Sequence, residues 1–453
     1  MISVLLLPAL LGQGQITIDN IEAGAVVRHP VIVLEGTAKD DTIAIGGDWE
    51  SAGRFPVVEG HWQGFAELKP GKNMVVLQSG KHILKYLIEY KPMTTPYKVL
   101  ALFLKSGDGK DEYYTNHLGD KFPIRDKMDV AMKLLQAACA EAMYKRGYGR
   151  KTFNLELEKD GKVKLHTETI PKAAAELRSM GDRDAWGYIQ EQLTPKFDSE
   201  LVRWCGMLGW TRYDSFSGKT EGHMALGGGA QALFGGASMA WWPASFKDVP
   251  VKFADTFVID PSLMFEDSGR RYTVWANVST AYGAMLHELG HTFGLSHSAD
   301  RFSVMSRGFD FLNRWFMAIE PPTKSESKGK TPSSEERMRW DPFSAALLNL
   351  NPWFQADGKQ VPVGDGPVIS IEGDTVVLQS SAGLKLWGTD RDDTPAVFEL
   401  AKELPKTLRL ALSDLRKRLG TDKGFRVTAV DAYGRQTVVD APANSSSAEA
   451  GTR

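Results

Sequence analysis

Ser279-Thr-Ala-Tyr-Gly-Ala-Met-Leu-His287-Glu288-Leu-Gly-His291-Thr-Phe-Gly294-Leu-Ser-His297 is the most informative stretch of this chain. Its fixed positions read His-Glu-x-x-His-x-x-Gly-x-x-His. On a helix, residues four apart share one face. His287 and His291 therefore project side by side toward a single ion. Glu288 sits on the adjacent edge, within reach of a water at that ion without displacing it. Gly294 falls where the helix has to stop. A left-handed residue is needed there, and glycine adopts that conformation at no steric cost. The chain then turns back, and His297 approaches as a third ligand. Neutral imidazole binds zinc at about 2.0–2.1 Å, and three such ligands leave a fourth position open for water or substrate. That open position separates a catalytic metal site from a structural one. With nine His among 453 residues, a chance match to all five fixed positions has odds on the order of 10⁻⁵. The plain alternative, a buried helix with incidental polar residues, would crowd three imidazoles and a carboxylate together without a metal, which is costly.

Eight residues after His297 comes Ser303-Val-Met305-Ser306. Alone, a methionine in an apolar run is ordinarily core. After the long motif it reads as a turn that seats Met305 beneath the metal site. The two features together resemble the metzincin clan of zinc endopeptidases. More narrowly, the chain is similar to a family of zinc metallopeptidases known mainly from fungi, with bacterial members. His29-Pro-Val-Ile-Val-Leu-Glu-Gly36, Gly222-His-Met-Ala-Leu-Gly-Gly-Gly229, Ala232-Leu-Phe-Gly235 and Ser306-Arg-Gly-Phe309 with Asn313-Arg314 carry that resemblance over most of residues 15–355. It implies a metzincin-like zincin domain, one Zn²⁺ per chain held by His287, His291 and His297, and peptide hydrolysis with Glu288 as general base. Fungal relatives can carry a jacalin-like lectin domain at the C-terminus, in the place that the strands after Val361 occupy here. One departure stands out. Some metzincins place a tyrosine two residues after the methionine, where this chain has Arg307. A three-histidine site is therefore expected, with Arg307 bracing the turn in preference to meeting a substrate carboxylate.

The rest of the chain reads as α+β and multidomain: a mixed twisted sheet with an active-site helix, flanked by N-terminal and C-terminal β-rich, sandwich-like domains. Residues 15–95 alternate in short strands between Gly- and Pro-rich turns. At Pro96 the character changes. Tyr97-Lys-Val-Leu-Ala-Leu-Phe-Leu104 is a buried-strand run, 124–144 has helical apolar spacing, and Thr152–Leu157 alternates as a strand. The catalytic domain is expected over 96–355. Its polar stretch 321–338 has almost no apolar residues and is expected to be a mobile insertion. A second β-rich domain follows at 361–440, then a disordered tail at 441–453. The glycines Gly227, Gly228 and Gly229 are candidates for a cleft rim where an extended substrate pairs with an edge strand. A tight structural turn explains them equally well. His223 beside them is expected to be an ordinary side chain, and Trp241-Trp242 to be core or a specificity wall.

Bulk composition narrows the functions. Lys and Arg number 54 against 56 Asp and Glu, a net charge of −2. A general nucleic-acid binder would carry a basic excess. Two cysteines, Cys139 and Cys205, make neither a disulfide framework nor a thiolate zinc site. They fit one bridge or two buried thiols equally well. The apolar run in residues 1–14 reads as a short secretory signal despite lacking a preceding Lys or Arg, so export, secreted or periplasmic, is expected. The stretch His223–Trp242 is broken by glycines and is a poor membrane span. The expected partner is a polypeptide, with glycan or surface contact through the β-domains. Two alternatives stay open: a zinc amide hydrolase on cell-wall peptides, and a noncatalytic surface- or polysaccharide-binding protein, against which the intact Glu288 argues.

Overall fold

A strand buried on both faces can afford no polar alternation, and the strand around Leu100–Leu104 shows why. The structure is a computed structural model that describes residues 15–47, 53–111 and 123–444; the expected signal at 1–14 and most of the expected tail lie outside them. The N-terminal strands are β1 (Val26–Val27), β2 (Val31–Thr37), β3 (Thr42–Gly46), β4 (Gly53–Val58), β5 (His61–Glu67), β6 (Gly71–Ser79) and β7 (His82–Tyr90). They order as β1-β7-β6-β3-β4-β5-β2. β4 divides its pairing, running along β3 up to Pro56 and meeting β5 through Val57 and Val58. The halves of the expected sandwich are thus one continuous strand order, joined at β4.

Next come β8 (Lys98–Ser106), α1 (Ile124–Lys145), β9 (Leu165–Ile170), α2 (Ala174–Ser179), α3 (Asp182–Leu193), β10 (Val202–Leu208), the hairpin β11 (Arg212–Asp214) with β12 (Lys219–Glu221), β13 (Ala225–Gly228) and β14 (Gln231–Gly235). They build a five-stranded sheet ordered β13-β14-β10-β8-β9, with the β11–β12 hairpin apart from it. β9, β8, β10 and β14 are parallel, and β13 runs antiparallel at the edge. Successive side chains on a strand point to opposite faces. Val99, Ala101 and Phe103 of β8, Cys205 and Met207 of β10, and Phe234 of β14 join the large core that contains α1. Leu100, Leu102 and Leu104, with Trp204, Leu208 and Leu233, join a second core with Ile189 and Leu193 of α3. Helices on both faces make the strands apolar throughout.

Helix α1 matches its expected span. Thr152–Leu157 does not become a strand. Leu155 bridges β8 only at Val99, Leu157 bridges Val163, and the edge of β8 from Ala101 onward is taken by β9. Cys139 on α1 and Cys205 on β10 are both free and buried, and burial pushes each thiol up to about 12.

The remaining helices are α4 (Val249–Lys252), α5 (Val274–Thr292) and α6 (Pro342–Leu350). In the polar stretch 321–338, Glu320 bridges Lys330, Trp275 Nε1 donates to Pro322 O at 3.0 Å, and Ser333 with Glu336 forms a capping box. The C-terminal strands β15 (Val368–Glu372), β16 (Thr375–Gln379), β17 (Leu384–Arg391), β18 (Thr394–Leu400), β19 (Thr407–Ala411), β20 (Phe425–Asp431) and β21 (Gln436–Ala441), with helix α7 (Leu412–Leu419), form two antiparallel sheets, β15-β16-β19 and β18-β17-β20-β21. Val376, Leu378, Trp387, Leu415 and Val427 give them a core of their own. Among the described residues, no helix is long and apolar enough to cross a membrane.

Candidate metal centre

The site is built on α5, which packs across β13 and β14 and is buried along nearly all its length. Gly283, His287 and Gly290 are spaced four and three residues apart, so they share one face. That face receives the segment carrying Met305. A Cβ on Gly283 would stand 1.9 Å from Phe309 O, and one on Gly290 would stand 2.4 Å from Met305 Sδ. His287, between them, meets Val304 O through Nδ1 at 2.8 Å. The two glycines therefore let the methionine turn lie directly on the helix. Gly283→Ala is expected to destabilise the protein by roughly 1–3 kcal/mol, the cost of overpacking a close contact. The check is thermal melting, and a melting temperature equal to wild type would refute the close approach.

The helix runs to Thr292. Gly294 has φ +83°, its N–H donates to His291 O at 3.0 Å, and Leu295 N–H donates to Gly290 O at 3.1 Å. This pair of bonds satisfies carbonyls that the helix end leaves free and reverses the chain. The reversal puts Leu295 O 2.8 Å from His291 Nδ1. It also brings His297 over the helix, its ring centre 5.3 Å from that of His287 and 4.9 Å from that of His291. Ser298 N–H then donates to Met305 O at 2.8 Å, closing the turn onto its partner segment.

Each of the three imidazoles offers a nitrogen, and these atoms lie within 4.8 Å of one another, the one such cluster of metal-binding side chains among the described residues. The arrangement fits a cation. Nδ1 of His287 and of His291 each face a carbonyl oxygen, which only accepts, so Nδ1 carries the proton and Nε2 is left with a bare lone pair. The two Nε2 atoms stand 3.2 Å apart. Two lone pairs at that distance repel unless a positive ion lies between them. Burial, then the neighbouring His291, lowers His287 to about 4, and burial also lowers His291, which favours the neutral form of both rings.

Glu288 lies outside that cluster. Its buried carboxyl is raised by burial to about 7, opposed by a backbone hydrogen bond at Gly227. Gly227 belongs to edge strand β13, and a Cβ there would stand 2.0 Å from Glu288 O. Gly227 is thus the close-approach point between strand and helix, while Gly229, with φ +55°, makes the β13–β14 turn. The other edge of β13 pairs with no described strand. Arg307 ion-pairs with Asp310, Nη2 to Oδ2 at 2.7 Å, and lies over Phe309. It braces the segment after the methionine turn. His223 packs on Phe234 and Phe265, and Trp242 on Tyr282. None of these three takes part in the imidazole cluster. The glycine pair Gly283 and Gly290 was not singled out in the sequence, although its spacing on the zinc-motif helix was there to be read.

Residues 15–385 match the profile described as "Putative peptidase family". The chain belongs to that family. It is 27% identical over 413 residues to a Schizosaccharomyces pombe protein named "Putative zinc metalloproteinase C607.06c", covering 82% of this chain and 66% of that protein. It is 22% identical to "Putative zinc metalloproteinase YIL108W" of Saccharomyces cerevisiae, covering 76% of this chain and 56% of that one. The chain thus spans about two thirds and somewhat over half of the length of these two relatives. Among solved structures, wild type OgpA from Akkermansia muciniphila aligns with a TM-score of 0.46 at 16% identity, covering 77% of this chain and 93% of that chain.

Proposed function

We propose that this chain is a zinc-dependent endopeptidase with a metzincin-like catalytic domain, His287, His291 and His297 holding one zinc and Glu288 serving as general base. One observation carries the reading: two neutral imidazoles, each tied at Nδ1 to a carbonyl, aim bare Nε2 atoms at one point, with the third imidazole beside them. Held by His287, His291 and His297, zinc would supply a Lewis acid that lowers the pKa of a bound water toward about 7 and polarises a scissile carbonyl. Glu288 accepts a proton from the attacking water at its carboxylate. It then returns that proton to the leaving amine nitrogen as the C–N bond breaks. Burial suits Glu288 to both steps, because a carboxyl raised toward neutrality gives up its proton readily as well as taking it. The free edge of β13 offers backbone donors and acceptors to an extended peptide next to Glu288.

The test is zinc content and casein-type proteolysis on freshly purified protein, before and after a chelator. One zinc per chain, with cleavage abolished by the chelator and restored by zinc, is the expected result. Freshly purified protein without zinc would defeat the reading.

A further inference from the structure

Two of the three histidines are oriented from within the catalytic unit, through Val304 O and Leu295 O. His297 has no such anchor among the described contacts, and half its side chain is exposed. What faces it comes from the C-terminal sheets. Asp392, in the turn between β17 and β18, places Oδ2 3.7 Å from His297 Nδ1. That distance is spanned by a hydrogen bond through one water or after a small rotation of the two exposed side chains.

Asp392 is itself held. Arg426 on β20 places Nη2 2.6 Å from an oxygen of Asp392 and 2.6 Å from an oxygen of Asp390, so one guanidinium spans both carboxylates. Asp390 is nearly fully buried, and the Ser296 hydroxyl reaches its carboxylate. At the other end of the same loop, Gln436 Nε2 donates to Gly294 O at 2.8 Å. Side chains of the C-terminal unit therefore meet the loop 294–297 at Gly294, Ser296 and His297. All of them lie beyond residue 385, where the family match ends.

We propose that the C-terminal β-unit completes the metal centre, with Asp392 as the positioning residue that orients His297 through Nδ1 while Asp390 and Gln436 fix the loop that presents it. The inference rests on the three-histidine metal reading. Its physical basis is general. A metal-binding imidazole needs its second nitrogen bonded so that ring orientation and tautomer are set before the ion arrives, and losing that partner typically costs ~10–100-fold in metal affinity. The geometry also makes the C-terminal sheets a floor for the third ligand rather than an appendage.

The experiment uses the full chain. Zinc affinity is measured by competition with a chromophoric chelator, and the melting temperature is taken on the metal-free proteins. Asp392→Ala is expected to bind zinc ~10–100-fold more weakly than wild type, with its metal-free melting temperature unchanged. Asp392→Asn, which keeps an acceptor oxygen, is expected to recover part of the loss. Gln436→Ala is expected to weaken zinc binding as well. Asp393→Ala, in the same turn but paired with Arg391, is expected to bind as wild type does. Wild-type affinity in both Asp392→Ala and Gln436→Ala would overturn the inference and leave the zinc site standing. So would equal losses in Asp392→Ala and Asp393→Ala. Absence of zinc binding in wild type would instead sink the metal reading beneath it.

Discussion

Glu288→Ala is expected to keep one zinc per chain and to lose peptide cleavage by on the order of 10²–10⁴-fold in kcat/KM. The zinc should stay because the carboxylate lies outside the imidazole cluster. Cleavage should go because, among the described residues, Glu288 is the carboxylate on the helix turn that carries His287 and His291. The side chain is buried against edge strand β13, where a backbone hydrogen bond at Gly227 holds it and burial lifts it to about 7. A group with that proton affinity exchanges a proton with water and with an amine at neutral pH at little cost. Glu288→Asp keeps the charge but draws it back by one methylene, and is expected to fall between wild type and alanine. Steady-state kinetics with zinc analysis on the same samples decides it. An alanine variant that cleaves at the wild-type rate would remove Glu288 from the chemistry.

The second large effect belongs to the ligands. Zinc binding of about 10–16 kcal/mol in structural sites with four protein ligands makes each ligand worth roughly 2.5–4 kcal/mol, so His287→Ala or His291→Ala should weaken binding by roughly 10²–10³-fold. A calorimetric signature accompanies it. Zinc at 100 times its Kd stabilises the wild-type fold by about 2.7 kcal/mol. The same zinc concentration should leave the melting temperature of either variant almost unmoved. The two variants are expected to behave alike, since each ring contributes one bare Nε2 to the same 3.2 Å gap. A zinc-dependent rise in melting temperature that survives either substitution would place the metal elsewhere.

These effects trace to features of unequal legibility. The helix spacing of His287 and His291, the reversal at Gly294 and the seat of Met305 are all local or nearly so. Gly294 shows this well: its left-handed φ and its bond to His291 O follow from the identity of one residue at a helix end. The buried run Leu100–Leu104 and helix α1 were likewise readable, because strand and helix periods recur every two or about 3.6 residues. Thr152–Leu157 shows where that logic fails. Its alternation is that of a strand, but β9 occupies the partner edge of β8, and pattern alone does not say which segment takes an edge.

Helix α1 marks a further boundary. Its apolar spacing gives a helix over 124–144, and in the fold its polar residues Lys133, Asp129 and Glu141 are buried too. Lys133 meets Glu67 of β5 at 2.7 Å, and Arg150 meets Glu141 at 2.5 Å. The helix packs on N-terminal strand β2 and on α5, and Glu67, 66 positions away, joins the local partners Asp129 and Arg150 in satisfying its charges.

The sequence by itself determined the helix that carries His287, Glu288 and His291, the reversal that brings His297 beside them, and the central strand of the sheet, Lys98–Ser106. Each of these depends on residues a few positions apart, whose geometry the backbone dictates. Only the tertiary structure decided what holds those residues in place. Gly283 and Gly290 matter because Phe309 O and Met305 Sδ come to rest on them, and Gly227 because Glu288 lies across it. Gln436 reaches Gly294 across 142 positions of chain, and Asp392 reaches His297 from the far sheets. Contacts of that separation leave no periodic mark in the sequence, because they are set by which surfaces the packed domains bring together.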